Sequence, residues 1–243
     1  MRRQEYLDGD EQVVDVILHE GECVYAAVTD NWPATRSFEA TQGKFNETGA
    51  SSPSLLTDAQ QAELIGLGVA STKALGFTLG VFCLNMKYTS RGPRLIEINP
   101  RMGGMFVRDH NWLCWGVDLV TEHLITSVGL PCHPRKSSMP LRASAGVYVS
   151  AEASGVVTDA DVLRECADAA KSASSDFVYF RPFVGVGDTV VGPEEASDFP
   201  TWLCGFMLNA PTAAQAIKCA QTLNDDIVAR VRTHDQRRFR RQL

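Results

Sequence analysis

Apolar residues fill Gln12 to Leu18 (Gln-Val-Val-Asp-Val-Ile-Leu) and recur from Cys23 to Val28, with Glu20-Gly21-Glu22 between. That spacing predicts two strands joined by a short turn. The polar stretch from Asp30 to Ser54 is too long for a simple connection and reads as a loop facing a site. Thr57-Asp58 then opens a helix, with Gln60 or Gln61 near the capping-box position. Ala62, Ile65, Leu67, Val69, Ala70, Ala74 and Leu75 mostly follow helical spacing, and Gly76 is a natural stop. Gly80 to Tyr88 predicts a strand, Ser90-Arg91-Gly92-Pro93 a turn, and Arg94 to Ile98 the returning strand. Met102-Gly103-Gly104 breaks it, and Asp109 to Val128 predicts one amphipathic helix.

Near Gly129-Leu130-Pro131 the pattern changes. Pro131, Pro134 and Pro140, with Lys136-Ser137-Ser138, predict a linker into a smaller α+β unit. Its strands are expected near Ser144–Val149, Phe177–Phe180 and Thr189–Val191, with a helix from about Ala160 to Ala173. A last helix, from about Thr212 to Val231, places Ala213, Ala216, Ile217, Ala220, Leu223 and Ile227 on one stripe. The expected organisation is therefore residues 1–130 as one domain and 131–243 as a second.

Composition narrows the classes. The 243 residues are 44% hydrophobic and 21% charged, enough for an ordinary globular core. A net charge of -6 gives a nucleic-acid partner no support. The exception is the stretch from Arg230 to Arg241 with its six arginines, which reads as a solvated end. The seven cysteines include no C-x-x-C pair, so they fit small apolar residues in a reducing, cytoplasmic setting. No apolar run reaches the roughly 18 to 20 residues that span a membrane, and the polar start from Met1 to Glu5 does not look like a signal peptide.

The chemistry concentrates in Leu95-Ile96-Glu97-Ile98-Asn99-Pro100-Arg101-Met102-Gly103-Gly104. Residues two apart on a strand share a face, so Glu97, Asn99 and Arg101 point the same way if extension persists through Pro100. The hairpin also brings Asn85 to this region. Glu97 and Asn99 offer a carboxylate and an amide oxygen, suited to a magnesium ion bridging ATP phosphates. Arg101 adds a planar fork for a phosphate or carboxylate, and Gly103 and Gly104 let backbone N–H groups approach an anion. An isolated Glu-x-Asn-x-Arg on an edge strand is otherwise a solvated face.

Glu5-Tyr6-Leu7-Asp8-Gly9-Asp10-Glu11 and Gly92-Pro93-Arg94 through Gly103-Gly104 together resemble the ATP-grasp superfamily of carboxylate–amine ligases. Within it the likeness is to the carnosine synthase family, also in Gly104 through Val117-Asp118-Leu119. Glu47-Thr48-Gly49 with Pro53-Ser54 resembles that family's substrate-side loop. The resemblance implies an α+β fold: the C-terminal part of an ATP-grasp domain, an antiparallel sheet with helices, followed by a small α+β subdomain. It implies ATP and Mg2+ (or Mn2+) as cofactors. Leu7 would touch adenine through its backbone, and Glu11 would bind the ribose hydroxyls. Glu97 and Asn99 would hold the metal and Arg101 would be catalytic, with Gly103, Gly104 and Glu47 on the substrate side. The implied reaction joins two small amino acids through an acyl phosphate, with β-alanine or a similar ω-amino acid as donor and L-histidine as acceptor.

Two departures bear on this. Asn85 stands, as a cofactor-binding position, where the family places an acidic ligand. The earlier strands of the family's fold, with their phosphate-gripping lysines and glycine-rich loop, are not in the sequence, so the chain is expected to be part of a longer ligase. The alternative is a catalytically inactive truncated paralogue that binds a nucleotide, an amino acid or a partner chain; a ligase with a different acceptor is a third reading. No membrane partner is expected, and self-association as a homo-oligomer is left open.

Several residues keep open readings. Asp15 faces solvent or a cleft. His19 sits at a turn, where an exposed imidazole is the default, and His133 falls in the linker. Arg108-Asp109-His110 either lines a substrate pocket or starts a helix with Asp109 as its cap. Trp112 and Trp115 fit a core or an interface better than a substrate box. Phe180-Arg181-Pro182-Phe183 has no assigned role.

Overall fold

A computed structural model of the chain describes residues 5–32, 48–159, 161–173, 176–197 and 199–239. They divide into two compact units, one of residues 5–32 and 50–144, the other mainly of residues from 145 onward.

The first unit is built on an antiparallel sheet. In chain order its strands are β1 (Glu11–His19), β2 (Glu22–Asn31), β3 (Gly49–Ser52), β4 (Gly80–Thr89) and β5 (Gly92–Asn99). Across the sheet the order is β5-β4-β1-β2-β3. Helix α1 (Asp58–Ala74) starts at Thr57, whose hydroxyl accepts the Gln60 amide while the Gln60 side chain reaches back to the Thr57 backbone. This is the capping box expected near Gln60 or Gln61, and it satisfies two otherwise orphaned helix donors. At the other end Gly76 stops the helix as expected, with φ 89°.

β1 is buried along both faces. Val14, Val16 and Leu18 pack with Val28, Phe82, Leu84, Met86 and Leu64 of α1. On the opposite face Ile17 joins Tyr25, Ala27, Val81, Val117, Leu119 and Cys132. The proline-rich segment expected as a linker thus contributes Cys132 to this core, and Ser137 and Leu141 donate their backbone N–H groups to the carbonyls of Trp115 and Cys114. The most buried seam of α1 is Leu64, Gly68 and Thr72, not the purely apolar set read from spacing. The Thr72 hydroxyl is satisfied by donating to the Gly68 carbonyl at 2.9 Å.

The helix expected over Asp109–Val128 is two helices, α2 (Val107–Trp115) and α3 (Leu119–Ser127). Gly116 ends the first in the left-handed region at φ 74°, and Asp118 caps the second by accepting the Val120 amide. α2 itself begins after Phe106 without a side-chain cap, so Asp109 lies inside its first turn and is not the cap.

The second unit contains most of β6 (Ala143–Ser150), then β7 (Gly155–Val156), α4 (Asp161–Ala173), β8 (Phe177–Pro182), β9 (Thr189–Val190), β10 (Trp202–Ala210) and α5 (Ala213–Phe239). β10 pairs antiparallel with β8, and β7 with β9. The hydrophobic pattern did not predict β3, β7 or β10. β10 is buried on both faces, so it lacks the alternation that marks a half-exposed strand. The α5 stripe lies mostly where spacing placed it: Ala213, Ala216, Ala220, Leu223 and Ile227 are buried, while Ile217 is half-buried.

None of the seven cysteines is in a disulfide and five are buried, consistent with apolar packing. No helix among the described residues is long and apolar enough to cross a membrane.

Leu64 is fully buried at the centre of the α1 face. We expect Leu64→Ala to lower the unfolding free energy by about 2–5 kcal/mol, measured by urea denaturation; a loss under about 1 kcal/mol would contradict this packing.

Candidate functional site

Strand register gathers the candidate residues. Val13 of β1 faces Asn85 of β4, and Asn85 faces Glu97 of β5; two residues along each strand, Asp15 faces Cys83, which faces Asn99. Two neighbouring rows across three strands therefore hold Asn85 beside Glu97, and Asp15 two strands from Asn99. They lie on the face of β1 that carries Val13, Asp15 and Ile17, opposite the face covered by α1.

The side chains on these rows are joined. Asn85 Nδ2 donates to Glu11 Oε1 at 2.9 Å, and Asn99 Nδ2 donates to Glu97 Oε1 at 3.0 Å. Glu11, expected for ribose, is thus tied to the strand that carries Asn85. Leu7 lies in the segment entering β1, where its carbonyl accepts a long bond of 3.5 Å from Lys87 Nζ. The same segment is held to the β4–β5 turn by the Arg91–Glu5 ion pair and by the Ser90 amide on Asp8 Oδ2.

Arg101 departs from the expected geometry. β5 ends at Asn99, and the Arg101 amide turns back onto the Asn99 carbonyl at 2.8 Å. Extension does not persist through Pro100, so the strand alternation that would align Arg101 with Glu97 and Asn99 stops there. The exposed guanidinium donates to the Met102 carbonyl at 2.9 Å. Gly103 is buried, and a Cβ placed on it would come within 2.6 Å of the Val107 side chain, so the close approach of α2 requires glycine. Gly104 is exposed, with open space at its Cβ position. Glu47 lies outside the described residues.

A divalent cation is implied by the resemblance, and the donor chemistry fits one. The bonds above occupy the amide nitrogens of Asn85 and Asn99, which orients their amide oxygens, with the second Glu97 oxygen, as the remaining donors. An all-oxygen set with one carboxylate suits magnesium, which takes few protein ligands and completes its shell with water and phosphate. Among the described residues no three His, Cys, Asp or Glu side chains group as a metal site by themselves.

On the same face, further in from the sheet edge, lies a buried polar group that spacing did not reveal. Asp15, left open as facing solvent or a cleft, is fully buried, and its Oδ2 accepts from Asn111 Nδ2 at 2.7 Å. Tyr25 Oη donates to Asn111 Oδ1. Asp15 Oδ1 has no hydrogen-bond partner among the described residues. Burial raises the Asp15 carboxyl to about 7, against the opposing pull of the Asn111 bond. A charged residue in the middle of a doubly buried strand was the one available signal that partners such as Asn111 and Tyr25 had to exist.

The Arg108-Asp109-His110 triplet is mostly absorbed by packing. Arg108 makes a two-pronged ion pair with Asp118, both contacts at 2.8 Å, which holds that carboxyl down at about 2. His110 is fully buried; its Nδ1 lies 2.7 Å from Ser144 Oγ, and desolvation pushes its imidazole down to about 3. Trp112 is exposed and Trp115 half-buried beside the core of Ile17 and Tyr25. The Lys136 ammonium sits 4.4 Å from the Trp115 ring centroid and donates to the Ala26 carbonyl. His19 is half-buried and lies edge-on to the exposed His133, with ring centroids 6.1 Å apart. Arg181 is exposed and lies 5.9 Å from the Tyr179 ring centroid.

Asp15 and His110 give opposite pH dependences. The folded state holds the extra proton on Asp15 between about pH 4 and 7, so that contribution is lost as pH rises. The unfolded state holds the extra proton on His110 between about pH 3 and 6.5, so that contribution is lost as pH falls. We expect the two to offset one another between pH 4 and 6.5. Asp15→Asn should then leave a stability that rises by up to about 1.4 kcal/mol per pH unit, read by denaturation at a series of pH values. An unchanged profile in the variant would show that Asp15 does not titrate in this window.

No family model matches the chain. It is 37% identical to carnosine synthase 1 of Gallus gallus over 155 residues, which is 64% of this chain and 16% of that protein. In structure it is similar to an L-amino acid ligase from Bacillus licheniformis, with a TM-score of 0.74 and 16% identity over 90% of this chain and 51% of that one. It is also similar to an N5-carboxyaminoimidazole synthase from Aspergillus clavatus solved with ADP, with a TM-score of 0.66 and 16% identity over 93% of this chain and 53% of that one. The chain thus spans only a small part of the curated relative and about half of the solved enzymes. The fold class is the expected one, an α+β part of the ATP-grasp fold.

Proposed function

We propose that this chain carries the metal-and-phosphate side of an ATP-dependent carboxylate–amine ligase that joins two small amino acids. The observation that carries the reading is the placement of Glu97 beside Asn85, and of Asn99 next along the strand, on one sheet face ahead of the Gly103-Gly104 segment. The similarity to carnosine synthase and to an L-amino acid ligase supports it. A divalent cation bound there would neutralise the charge of the nucleotide phosphates.

This chain's own residues have simpler tasks. Glu97 supplies the carboxylate and Asn99 an amide oxygen to hold the cation. Asn85 supplies a second amide oxygen but no charge, and its bond to Glu11 ties the putting-together of β1 and β4 to the site. Leu7 and Glu11 line the approach for adenine and ribose. Gly103 and Gly104 present backbone N–H groups to phosphate, and Glu47 lies on the substrate side. Arg101, exposed on a turn, reaches the site by rotating its side chain away from the Met102 carbonyl. There it would stabilise charge on the acyl phosphate.

In the reaction we infer, a substrate carboxylate oxygen attacks the terminal phosphorus of ATP, forming an acyl phosphate and releasing ADP. The amine of the second substrate then attacks the acyl carbon. The C–O bond to phosphate breaks, and the amine proton leaves with the phosphate. β-Alanine, or another ω-amino acid, and L-histidine are the donor and acceptor that the carnosine synthase likeness supports. Asn85 favours one alternative, a nucleotide-binding module without catalysis, because an amide there contributes no negative charge to metal binding.

We expect magnesium-dependent ATP binding, measured by calorimetry, that Glu97→Ala weakens at least tenfold while the fold is retained. Equal affinity in the variant would remove Glu97 from the metal site. ADP release only when both β-alanine and histidine are present would distinguish the ligase from the binding module.

A further inference from the structure

The buried carboxylate two strands in from Asn99 connects to the glycine pair through a short series of contacts. Asp15 Oδ2 accepts from Asn111 Nδ2 at 2.7 Å, and the same amide nitrogen donates to the Val107 carbonyl at 2.8 Å. Tyr25 holds the amide oxygen of Asn111, so the whole Asn111 side chain is fixed from β1, from β2 and from its own helix. Val107 opens α2, and its side chain stands where a Cβ on Gly103 would be, within 2.6 to 2.8 Å. The Val107 amide donates to the Gly104 carbonyl at 3.2 Å. Asp15 also shares a row of the sheet with Cys83 and Asn99.

We propose that Asp15 is a positioning residue for the glycine pair: through Asn111 and Val107 it sets where Gly103 and Gly104 stand relative to Glu97 and Asn99. The physical reason is the cost of the arrangement. A carboxyl in the centre of a doubly buried strand is expensive, and an apolar residue there would pack with Val13 and Ile17 at no such cost. What the carboxyl adds is a fixed acceptor at one depth in the sheet, which locks the rotation and height of α2 over the strands. Because Val107 packs directly on Gly103, any change in that height moves the glycine backbone. The buried acid therefore acts on the face that carries Glu97 and Asn99 without touching a substrate. This deepens the reading of the glycine pair as phosphate-facing and rests on it.

The test uses the whole chain, labelled with nitrogen-15, and needs no nucleotide. Asp15→Ala removes the acceptor, Asp15→Asn keeps an oxygen acceptor for Asn111, and Leu64→Ala is a destabilised control on the opposite sheet face. We expect the amide signals of Gly103, Gly104 and Val107 to move at least threefold further in Asp15→Ala than in Leu64→Ala, and to return close to wild type in Asp15→Asn. Movement no greater than in the control overturns the proposal, as does large movement that Asp15→Asn does not reverse. If Asp15→Ala does not fold, Asn111→Ala cuts the same link from the helix side and is judged by the same comparison with the control. Loss of magnesium-dependent ATP binding as a property of the chain would sink the phosphate reading and leave these signals to decide the link by themselves.

Discussion

A strand buried on both faces governs this part of the fold. β1 is the central strand of the first unit, paired with β2 on one side and β4 on the other, and its two faces feed two separate cores. Slipping its register by one residue would exchange Val14, Val16 and Leu18 with Val13, Asp15 and Ile17, putting a carboxylate into the α1 core. The register is therefore held by burial on one face and by the Asp15–Asn111 bond on the other. Because β4 and β5 are aligned from β1 outward, the same constraint decides that Asn85 stands beside Glu97 and that Asn99 shares a row with Asp15.

The site inherits both its rigidity and its economy from this arrangement. Glu97 and Asn99 sit on β5 at the edge of the sheet, where they remain accessible, while their spacing is dictated by strands that are not. The carboxylate–amide pairs Glu97–Asn99 and Glu11–Asn85 orient two amide oxygens with few long side chains to order. The ion pair of Arg108 with Asp118 joins α2 to the cap of α3, so the two helices that cover this face are coupled where Gly116 separates them. A basic residue close to the glycine pair is thereby committed to architecture, while Arg101 of the same segment is exposed.

Much of this was legible in the sequence wherever a local rule applied. The capping box at Thr57, the stop at Gly76, the β4–β5 hairpin and the α5 stripe each follow from a few neighbouring residues. So does the shared face of Glu97 and Asn99. What was not legible depended on distant partners or on the failure of a pattern. Pro100 and the turn after it remove Arg101 from the strand's alternation, and Gly116 divides an apolar run that reads as one helix. β10 is buried on both sides and carries Gly205 in its interior, so neither alternation nor propensity marks it. The burial of Asp15 depends on Asn111, 96 residues away along the chain.

The most direct measurement is paramagnetic broadening by Mn2+ in the presence of ADP, recorded on the nitrogen-15 labelled chain. We expect the side-chain amides of Asn99 and Asn85 and the backbone amides of Gly103 and Gly104 to broaden first, before signals from the second unit. Broadening that begins elsewhere while those four remain sharp would contradict a metal-and-phosphate site on this sheet face.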